Sequence, residues 1–289
     1  MKSALLLALA AALASGCSQT HRSDTNADQH AASDSRVEVL RVEDVQWTPL
    51  NPARGDQSPQ AATLWGDRSA TGPTGFLVRF ADGFSSPPHI HNVTYRGVVI
   101  SGLVHNDDPD AAEMWMPPGS YWTQPMGEAH ITAAKGSVNI AYIEIEEGPY
   151  LVQPTEEAFD MGERPVNIDA SNIVWLDVVN TRWIASNNSH GPEMAFLWGD
   201  PSDGQLSGSL VKLPAGFRGE IRTNGTSFRA VIVQGNVTLS ESEYAAEALR
   251  PGSSFGSNGK AVLRIKSGSE EESLLYVRTR GVFELVPAE

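Results

Sequence analysis

Two stretches of the chain indicate its fold: GFSSPPHIHNVTYRGVVISG at residues 83–102 and GSYWTQPMGEAHITAA at residues 119–134. In the first, His89 and His91 are two residues apart, so both imidazoles project to the same face if the segment is a β-strand. In the second, His130 follows a Pro-Met-Gly turn that leads into a new strand. If the two strands pack together, the three imidazoles converge on a transition-metal site with open coordination positions.

The spacing of glycines and histidines in both stretches resembles the two motifs of the cupin family. The resemblance implies a jelly-roll β-barrel in which His89, His91 and His130 hold one divalent metal, with Fe(II) or Zn(II) expected first and Ni, Mn or Cu as alternatives. Cupins normally carry a glutamate ligand where Tyr95 stands, and usually an asparagine where Ala134 stands. The missing glutamate removes a negative charge from the metal and leaves the metal and the reaction type open.

Composition indicates an acidic, globular, β-rich protein. The 289 residues include 21 Lys and Arg against 35 Asp and Glu, a net charge of −14. This charge argues against nucleic acid as a partner and against binding to anionic lipid through charge. Short runs rich in valine and isoleucine, separated by turn residues, favour strands over helices. The length suffices for two domains, and we expect an all-β fold of two barrels.

The N-terminus predicts export and a lipid anchor. A basic residue, the apolar run Ala4–Ala14 and small residues lead to Cys17, the only cysteine of the chain. The run is too short to span a bilayer. This pattern resembles a bacterial lipoprotein signal at residues 1–16, with Cys17 lipidated and residues 17–36 as a flexible tether. By the same resemblance, Ser18 favours the outer membrane of a Gram-negative cell, facing the periplasm. The alternative is a signal cut elsewhere, which leaves a free thiol.

The chain repeats itself at an offset of 133 residues. ATLWGD at residues 62–67 returns as AFLWGD at residues 195–200, and later glycines follow at the same offset. A constant offset over many positions indicates a duplication. We therefore predict two tandem cupin domains, at residues 37–165 and 166–289.

The second copy lacks the residues that bear the chemistry of the first. His89, His91 and Tyr95 align with Arg222, Asn224 and Phe228, and His130 aligns near Leu263. Arginine is a poor metal ligand and leucine cannot bind a metal. We expect the second domain to bind no metal and to complete the structure.

Tyr95 and Glu128 are the candidate catalytic residues beside the metal. Tyr95 could hydrogen-bond a metal-bound water or ligate the metal if it is deprotonated. The alternative is an aromatic wall, as the aligned Phe228 suggests. Glu128 could transfer protons or act as a fourth ligand, and the alternative is a solvated loop carboxylate.

Other side chains near the two motifs are assigned by strand alternation. Tyr121 and Trp122 are candidate substrate-lining residues, and one of them should face the cavity. His105 lies outside the motifs and is predicted at the surface or rim of the barrel.

Two functions remain open. Three histidines without the glutamate resemble the acetylacetone-cleaving dioxygenase, which implies cleavage of a chelating dicarbonyl or enolate; isomerase or lyase chemistry would use the same residues. The barrel also resembles the cupin domain of ChrR anti-sigma factors, which implies a cell-envelope module that binds or senses a metal or small ligand without turnover. Either function predicts a small-molecule ligand, and a homodimer is compatible with both.

Overall fold

A computed structural model describes residues 37–185, 191–202, 204–240 and 247–288. The predicted signal peptide, the tether and Cys17 lie outside these residues. In chain order the strands are β1 (Val37–Leu40), β2 (Thr48–Pro49), β3 (Gln60–Trp65), β4 (Thr74–Phe80), β5 (Ile90–His91), β6 (Tyr95–Asp107), β7 (Tyr121–Gln124), β8 (Ile131–Ile145), β9 (Val152–Gln153), β10 (Val166–Ile168), β11 (Glu193–Gly199), β12 (Leu206–Leu213), β13 (Arg218–Thr223), β14 (Ser227–Gln234), β15 (Val237–Ser240), β16 (Glu247–Leu249), β17 (Ser254–Ser257), β18 (Ala261–Ser267), β19 (Ser273–Arg280) and β20 (Phe283–Pro287).

Helical structure in the described ranges consists of three 3₁₀ helices, η1 (Pro52–Gln57), η2 (Thr155–Glu157) and η3 (Ala170–Asn172). None of the helices described is long and apolar enough to cross a membrane. The all-β prediction is confirmed.

The first half of the chain is a barrel built on two long, bent strands. β6 and β8 lie at the centre of a seven-stranded sheet with the order β10-β7-β6-β8-β4-β3-β2. The register between β6 and β8 shifts on both sides of Ser101, which bends the two strands at this point. Gly102 lies at this bend with φ of 75°, and a side chain there would collide with Asn139. The glycine of the first motif is thus required by the bend.

The second half repeats this design with separate strands. One sheet has the order β1-β17-β14-β19-β12-β11, and the opposing sheet has the order β16-β15-β18-β13-β20. Repeated contacts accompany the repeated sequence. The indole of Trp65 packs over Gly75 and that of Trp198 packs over Gly208, where a β-carbon on either glycine would overlap the ring.

Each half contributes a strand to the large sheet of the other half. β1 precedes the first barrel in sequence but pairs with β17. β10 opens the second predicted domain but pairs with β7. The two halves are therefore interlocked by backbone hydrogen bonds. The boundary at residues 165 and 166 stays a prediction.

Apolar side chains form one core inside each barrel and a third core between the two large sheets. Tyr142 of the first half and Tyr276 of the second belong to this central core. Arginines also cross between the halves: Arg96 stacks on Trp198 with its guanidinium carbon 3.7 Å from the ring centroid, and Arg229 lies 6.0 Å from the ring of Trp65. The central core fixes the large sheet of the first half, which supplies one wall of the site below.

Candidate metal centre

The structure brings the three histidines of the two motifs together. His89 and His130 exchange both backbone hydrogen bonds, at 3.1 and 3.0 Å, which joins the first motif to the start of β8. His91 follows on β5. One ring nitrogen from each residue lies within 4.8 Å of those of the other two. This bridge is the physical reason why two motifs separated in sequence form one cluster.

Backbone carbonyls fix the tautomer of each imidazole. The Nδ1 atoms of His89, His91 and His130 lie 2.9, 2.8 and 3.3 Å from the carbonyl oxygens of Pro87, Leu151 and Glu128. A carbonyl only accepts hydrogen bonds, so each Nδ1 carries the proton. Each neutral ring then presents an unprotonated Nε2, which is the arrangement that metal-binding histidines use.

Burial keeps the rings neutral. His91 is 2% exposed and His130 is fully buried. Burial, together with the neighbouring histidines, lowers the pKa of His91 well below its ordinary value and the pKa of His130 to about 3. Burial is also the main reason why the pKa of His89 is lowered. Neutral imidazole is the form that binds a metal ion.

The phenol of Tyr95 faces this group but directs its proton elsewhere. Its hydroxyl donates to Oδ1 of Asn106 at 2.7 Å, and Thr132 donates to the same oxygen at 2.7 Å. The oxygen of Tyr95 lies 3.2 Å from Nε2 of His130. With the proton of Tyr95 on the Asn106 side and the proton of His130 on Nδ1, two lone pairs face each other. A cation between or beside these atoms would satisfy both, so the residues present fit a metal ion.

Tyr150 is a residue of the site that the sequence analysis missed. Its hydroxyl lies 3.1 Å from Nε2 of His91, and its ring stacks on that imidazole at a centroid distance of 4.4 Å. Asn92 fixes the segment around Tyr150. Its side chain donates to the carbonyl of Pro149 and accepts from the backbone N–H of Leu151, both at 2.9 Å. Tyr150 belongs to neither motif. Its position follows from the pairing of His91 with Val152, which local sequence does not reveal.

The group opens into a cavity of about 360 Å³. Its wall is mostly apolar, with Phe80, Phe84, Trp122, Ile143 and Val152. Among the described residues that line it there is no aspartate or glutamate, and Arg54 is the one Lys or Arg side chain. The site therefore combines neutral nitrogen donors with a cavity wall that carries no negative charge.

Strand alternation separates the two candidate lining residues. Trp122 lines the cavity. Tyr121 projects from the opposite face of β7 into the central core, where its hydroxyl lies 2.7 Å from the hydroxyl of Thr123. The structure thus brings Trp122 to the site and places Tyr121 away from it.

Glu128 does not reach the cavity with its carboxylate. The carboxylate pairs with Arg164 at 3.3 Å and lines a separate depression with Asp108 and Pro165. What reaches the site is the backbone carbonyl of Glu128, which orients His130. This placement corrects the expectation of a carboxylate beside the metal, because the turn before His130 directs the side chain outward.

The predicted surface position of His105 is wrong. The residue is 2% exposed, and its Nδ1 accepts a hydrogen bond from the backbone of Met114 at 3.2 Å. The segment that contains Met114 and Met116 folds back over β6 and covers it.

The corresponding region of the second half is filled. Phe228 and Leu263 are fully buried in its apolar core with Ile221 and Phe283. Arg222 points outward from β13 and pairs with Glu220 at 2.9 Å. The absence of a metal in this half stays a prediction.

Comparison with known proteins agrees with this architecture. Residues 38–286 match the family model described as Domain of unknown function (DUF4437), and the chain belongs to this family. No curated protein matches the chain. A crystal structure of a candidate dioxygenase from Nostoc punctiforme is similar, with 13% identity, 84% of this chain and 82% of that chain covered, and a TM-score of 0.63.

Two further crystal structures show the same arrangement of strands. Salicylate 1,2-dioxygenase from Pseudoaminobacter salicylatoxidans, solved with gentisate, has 13% identity, covers 88% of this chain and 84% of its own, and gives a TM-score of 0.53. Vicilin from Corylus avellana has 9% identity, covers 86% of this chain and 87% of its own, and gives a TM-score of 0.54. These likenesses establish the fold, and the prediction of an all-β protein with cupin barrels is confirmed.

Proposed function

We propose that this chain is a metal-dependent cupin enzyme, a three-histidine dioxygenase that cleaves a carbon–carbon bond of a small chelating dicarbonyl or enolate-type substrate. The observation that carries the proposal is the convergence of three unprotonated Nε2 atoms beside an apolar cavity. Two proteins of similar fold carry a dioxygenase name, which supports the class of chemistry. At 13% identity they do not define the substrate.

His89, His91 and His130 are the residues that would hold Fe(II) or Zn(II). When ferrous iron is bound, the chemistry it supplies is electron transfer to dioxygen and polarisation of a chelated carbonyl. Three neutral ligands leave the double positive charge of the metal uncompensated. The cavity therefore favours an anionic, chelating substrate such as an enolate.

The tyrosines of the site act as neutral phenols. Burial raises the pKa of Tyr95 and raises that of Tyr150 well above its ordinary value. Tyr95 donates to Asn106. The hydroxyl of Tyr150 donates to the unprotonated Nε2 of His91. When that nitrogen binds a metal instead, the Tyr150 proton is released for a substrate oxygen in the cavity. Trp122 and Phe84 exclude water from the reacting atoms. The net reaction of a 1,3-dicarbonyl with dioxygen gives a carboxylic acid and a 1,2-dicarbonyl, and it needs no additional proton from the protein.

Metal content and oxygen uptake test this proposal. Mass spectrometry of the purified protein should find one transition metal per chain, lost in His89→Ala, His91→Ala and His130→Ala and retained in the matched Arg222→Ala variant of the second half. Oxygen uptake with a panel of 1,3-dicarbonyls and catechols, in the presence of ferrous iron, should then identify a substrate. A wild-type protein that takes no metal from iron, zinc, nickel or manganese would contradict the proposal.

A second function is favoured by one observation. None of the described side chains that line the cavity is a carboxylate that could act as a general base, and Glu128 pairs with Arg164 outside it. The chain would then bind or sense a metal or a small ligand without turnover. A metal-loaded protein that binds ligands but consumes no oxygen with any member of the panel would establish this second function.

The N-terminal pattern supports a proposal for location. We infer that Cys17 is lipidated and anchors the protein in the outer membrane, with the metal site facing the periplasm. Membrane fractionation of cells that express the wild type and Cys17→Ala tests this. Recovery of both proteins in the soluble fraction would contradict a lipid anchor. Light scattering of the purified protein tests whether it forms the homodimer.

A further inference from the structure

Of the described side chains that line the cavity, one is a guanidinium, that of Arg54. Arg54, on η1, is half-buried and lines the cavity near His89. Among the residues that the structure describes, its side chain has no hydrogen-bond or ion-pair partner, whereas arginines such as Arg96 and Arg164 are paired with carboxylates.

The loop that carries Arg54 is closed by its own hydrogen bonds. The backbone N–H of Leu50 donates to the carbonyl of Pro59 at 2.8 Å, and the N–H of Asn51 donates to the hydroxyl of Ser58 at 2.8 Å. Leu50, Asn51 and Pro59 line the same cavity. The two ends of the loop are thus fixed on the cavity wall. Arg54 lies between them, on η1, and lines the same cavity.

The charges around the cavity favour an anion. The protein carries a net charge of −14, yet no acidic side chain of the described ranges lines this cavity. A carboxylate that meets the guanidinium forms a charge-assisted, two-point hydrogen bond, which an apolar surrounding strengthens. The rest of the wall is mostly apolar and accommodates the remainder of such a molecule.

We infer that Arg54 binds a carboxylate of the substrate, so that the site takes a small monocarboxylic acid whose other end carries the chelating dicarbonyl or enolate. The inference rests on the proposed function in placing the reacting end of this acid at the three histidines. It assigns a second contact at the rim, which sets the orientation of the molecule in the cavity. Binding at Arg54 can be measured with and without a metal in the site.

The test compares an acid with its uncharged isostere. Isothermal titration of the purified full-length protein with phenylacetate and phenylacetamide, in zinc-loaded and metal-free form, gives four affinities. We expect the wild type to prefer phenylacetate in both forms. Arg54→Gln should bind phenylacetate at least about tenfold more weakly, because the charge-assisted, two-point hydrogen bond is lost. Its affinity for phenylacetamide should not change. Arg54→Lys should recover part of the loss, because it keeps the charge without the planar fork.

Arg218→Gln is the matched control, because Arg218 is an exposed arginine on β13 of the second half. It should behave as the wild type. Equal affinity of the wild type for acid and amide, or an unchanged affinity of Arg54→Gln for phenylacetate, would overturn the inference and leave the metal proposal intact. A protein that takes no metal but shows the Arg54-dependent preference would keep the carboxylate site and contradict the proposed enzyme.

Discussion

The two halves of this protein have the same scaffold and opposite interiors. In the first half, three histidines and two tyrosines meet beside an open cavity. In the second half, the same region holds Phe228, Leu263 and Phe283 in a closed apolar core. The large sheets, the bend glycines and the tryptophan contacts recur in both. The cupin scaffold thus tolerates either interior, because its strands are fixed by backbone pairing and by the core between the halves.

Substituting one residue of the second half into the first should have the largest effect. We expect His130→Leu to abolish metal binding entirely, because two imidazoles remain and leucine offers no donor atom. The fold should persist, since leucine fills the equivalent position in the sister barrel. Metal analysis and circular dichroism measure the two results. A folded variant that retains a full equivalent of metal would contradict the three-histidine site.

Breaking the contact between the halves should have the second largest effect. Glu144 and Arg278 stand two residues after the paired tyrosines Tyr142 and Tyr276, and they are 1% and 5% exposed. Both tyrosine hydroxyls donate to the carboxylate, at 3.0 and 2.8 Å, and the Nε of Arg278 lies 3.7 Å from it. Each tyrosine accepts a hydrogen bond from a tryptophan indole of its own half, Trp65 or Trp198. Structurally equivalent places in the two halves thus carry complementary charges.

Removing one partner of this pair should therefore destabilise the protein strongly. Glu144→Ala leaves the Arg278 guanidinium buried without a counter-charge, which costs about 3–5 kcal/mol of unfolding free energy. Urea denaturation measures the loss. The double variant Glu144→Arg with Arg278→Glu should be more stable than either single change. If it is no more stable, complementarity of charge is not what holds the two sheets.

Placing a histidine in the core of the second half should destabilise the protein less than Glu144→Ala does, and it should not create a second metal site. Leu263→His places an imidazole in the apolar core of the second half, where it lacks hydrogen-bond partners. We expect a loss of about 3 kcal/mol of unfolding free energy, from the lost apolar burial and the unsatisfied polar group. Urea denaturation checks the loss, and metal analysis should show the same stoichiometry as the wild type. A second equivalent of metal in this variant would contradict the prediction that the apolar core of the second half cannot form a metal site.

Acid should destabilise the metal-free protein through the buried histidines of the first half. His130 has a pKa of about 3 in the folded chain against an ordinary value of 6.5. Between these two pH values the unfolded chain therefore binds more protons than the folded chain. The contribution of His130 to the unfolding free energy is thus complete above about pH 6.5 and decreases as the pH is lowered toward about 3. Unfolding of the chelator-treated protein across this range measures the slope. The slope should be shallower in His130→Leu, and an equal slope would contradict the neutral buried ring.

The smallest effect is expected at Tyr95, because the second half has a ring of similar shape, Phe228, at the aligned position. Tyr95→Phe installs the ring that stands at Phe228, and it removes one hydrogen bond to Asn106, which still accepts from Thr132. We expect a loss of about 1 kcal/mol of stability. The metal content should be unchanged, because burial raises the pKa of the phenol and keeps it neutral. Loss of the metal in this variant would identify Tyr95 as a ligand and exclude the aromatic wall.

Local pattern was sufficient for a large part of the site. The two-residue spacing of His89 and His91 placed both rings on one face, and alternation required that only one of Tyr121 and Trp122 face the cavity. The Pro-Met-Gly turn marked the start of the strand that brings His130 to His89. These features depend on the period of a strand and on turn geometry, which act over a few residues.

Residues that depend on distant backbone were missed. Tyr150 reaches His91 because β9 pairs with β5, and nothing within residues 148–153 marks that partner. Glu128 turns to Arg164, which belongs to a segment far along the chain. His105 is covered by a chain segment that folds back over it. In each case the decisive contact is made by a segment that the local pattern does not identify as a neighbour.

Sequence alone was enough to establish the class of fold, the internal repeat and the three nitrogen donors of the site, because strand period, turn chemistry and residue type are local properties. The folded chain was needed to establish which tautomer each histidine adopts, which tyrosine stands beside it, and where Arg54 lies. It was also needed to show that β1 and β10 cross to the opposite half. Those outcomes depend on contacts of backbone carbonyls, rings and sheet edges with partners that local sequence does not reveal. The closure of the barrels as a whole determines these contacts.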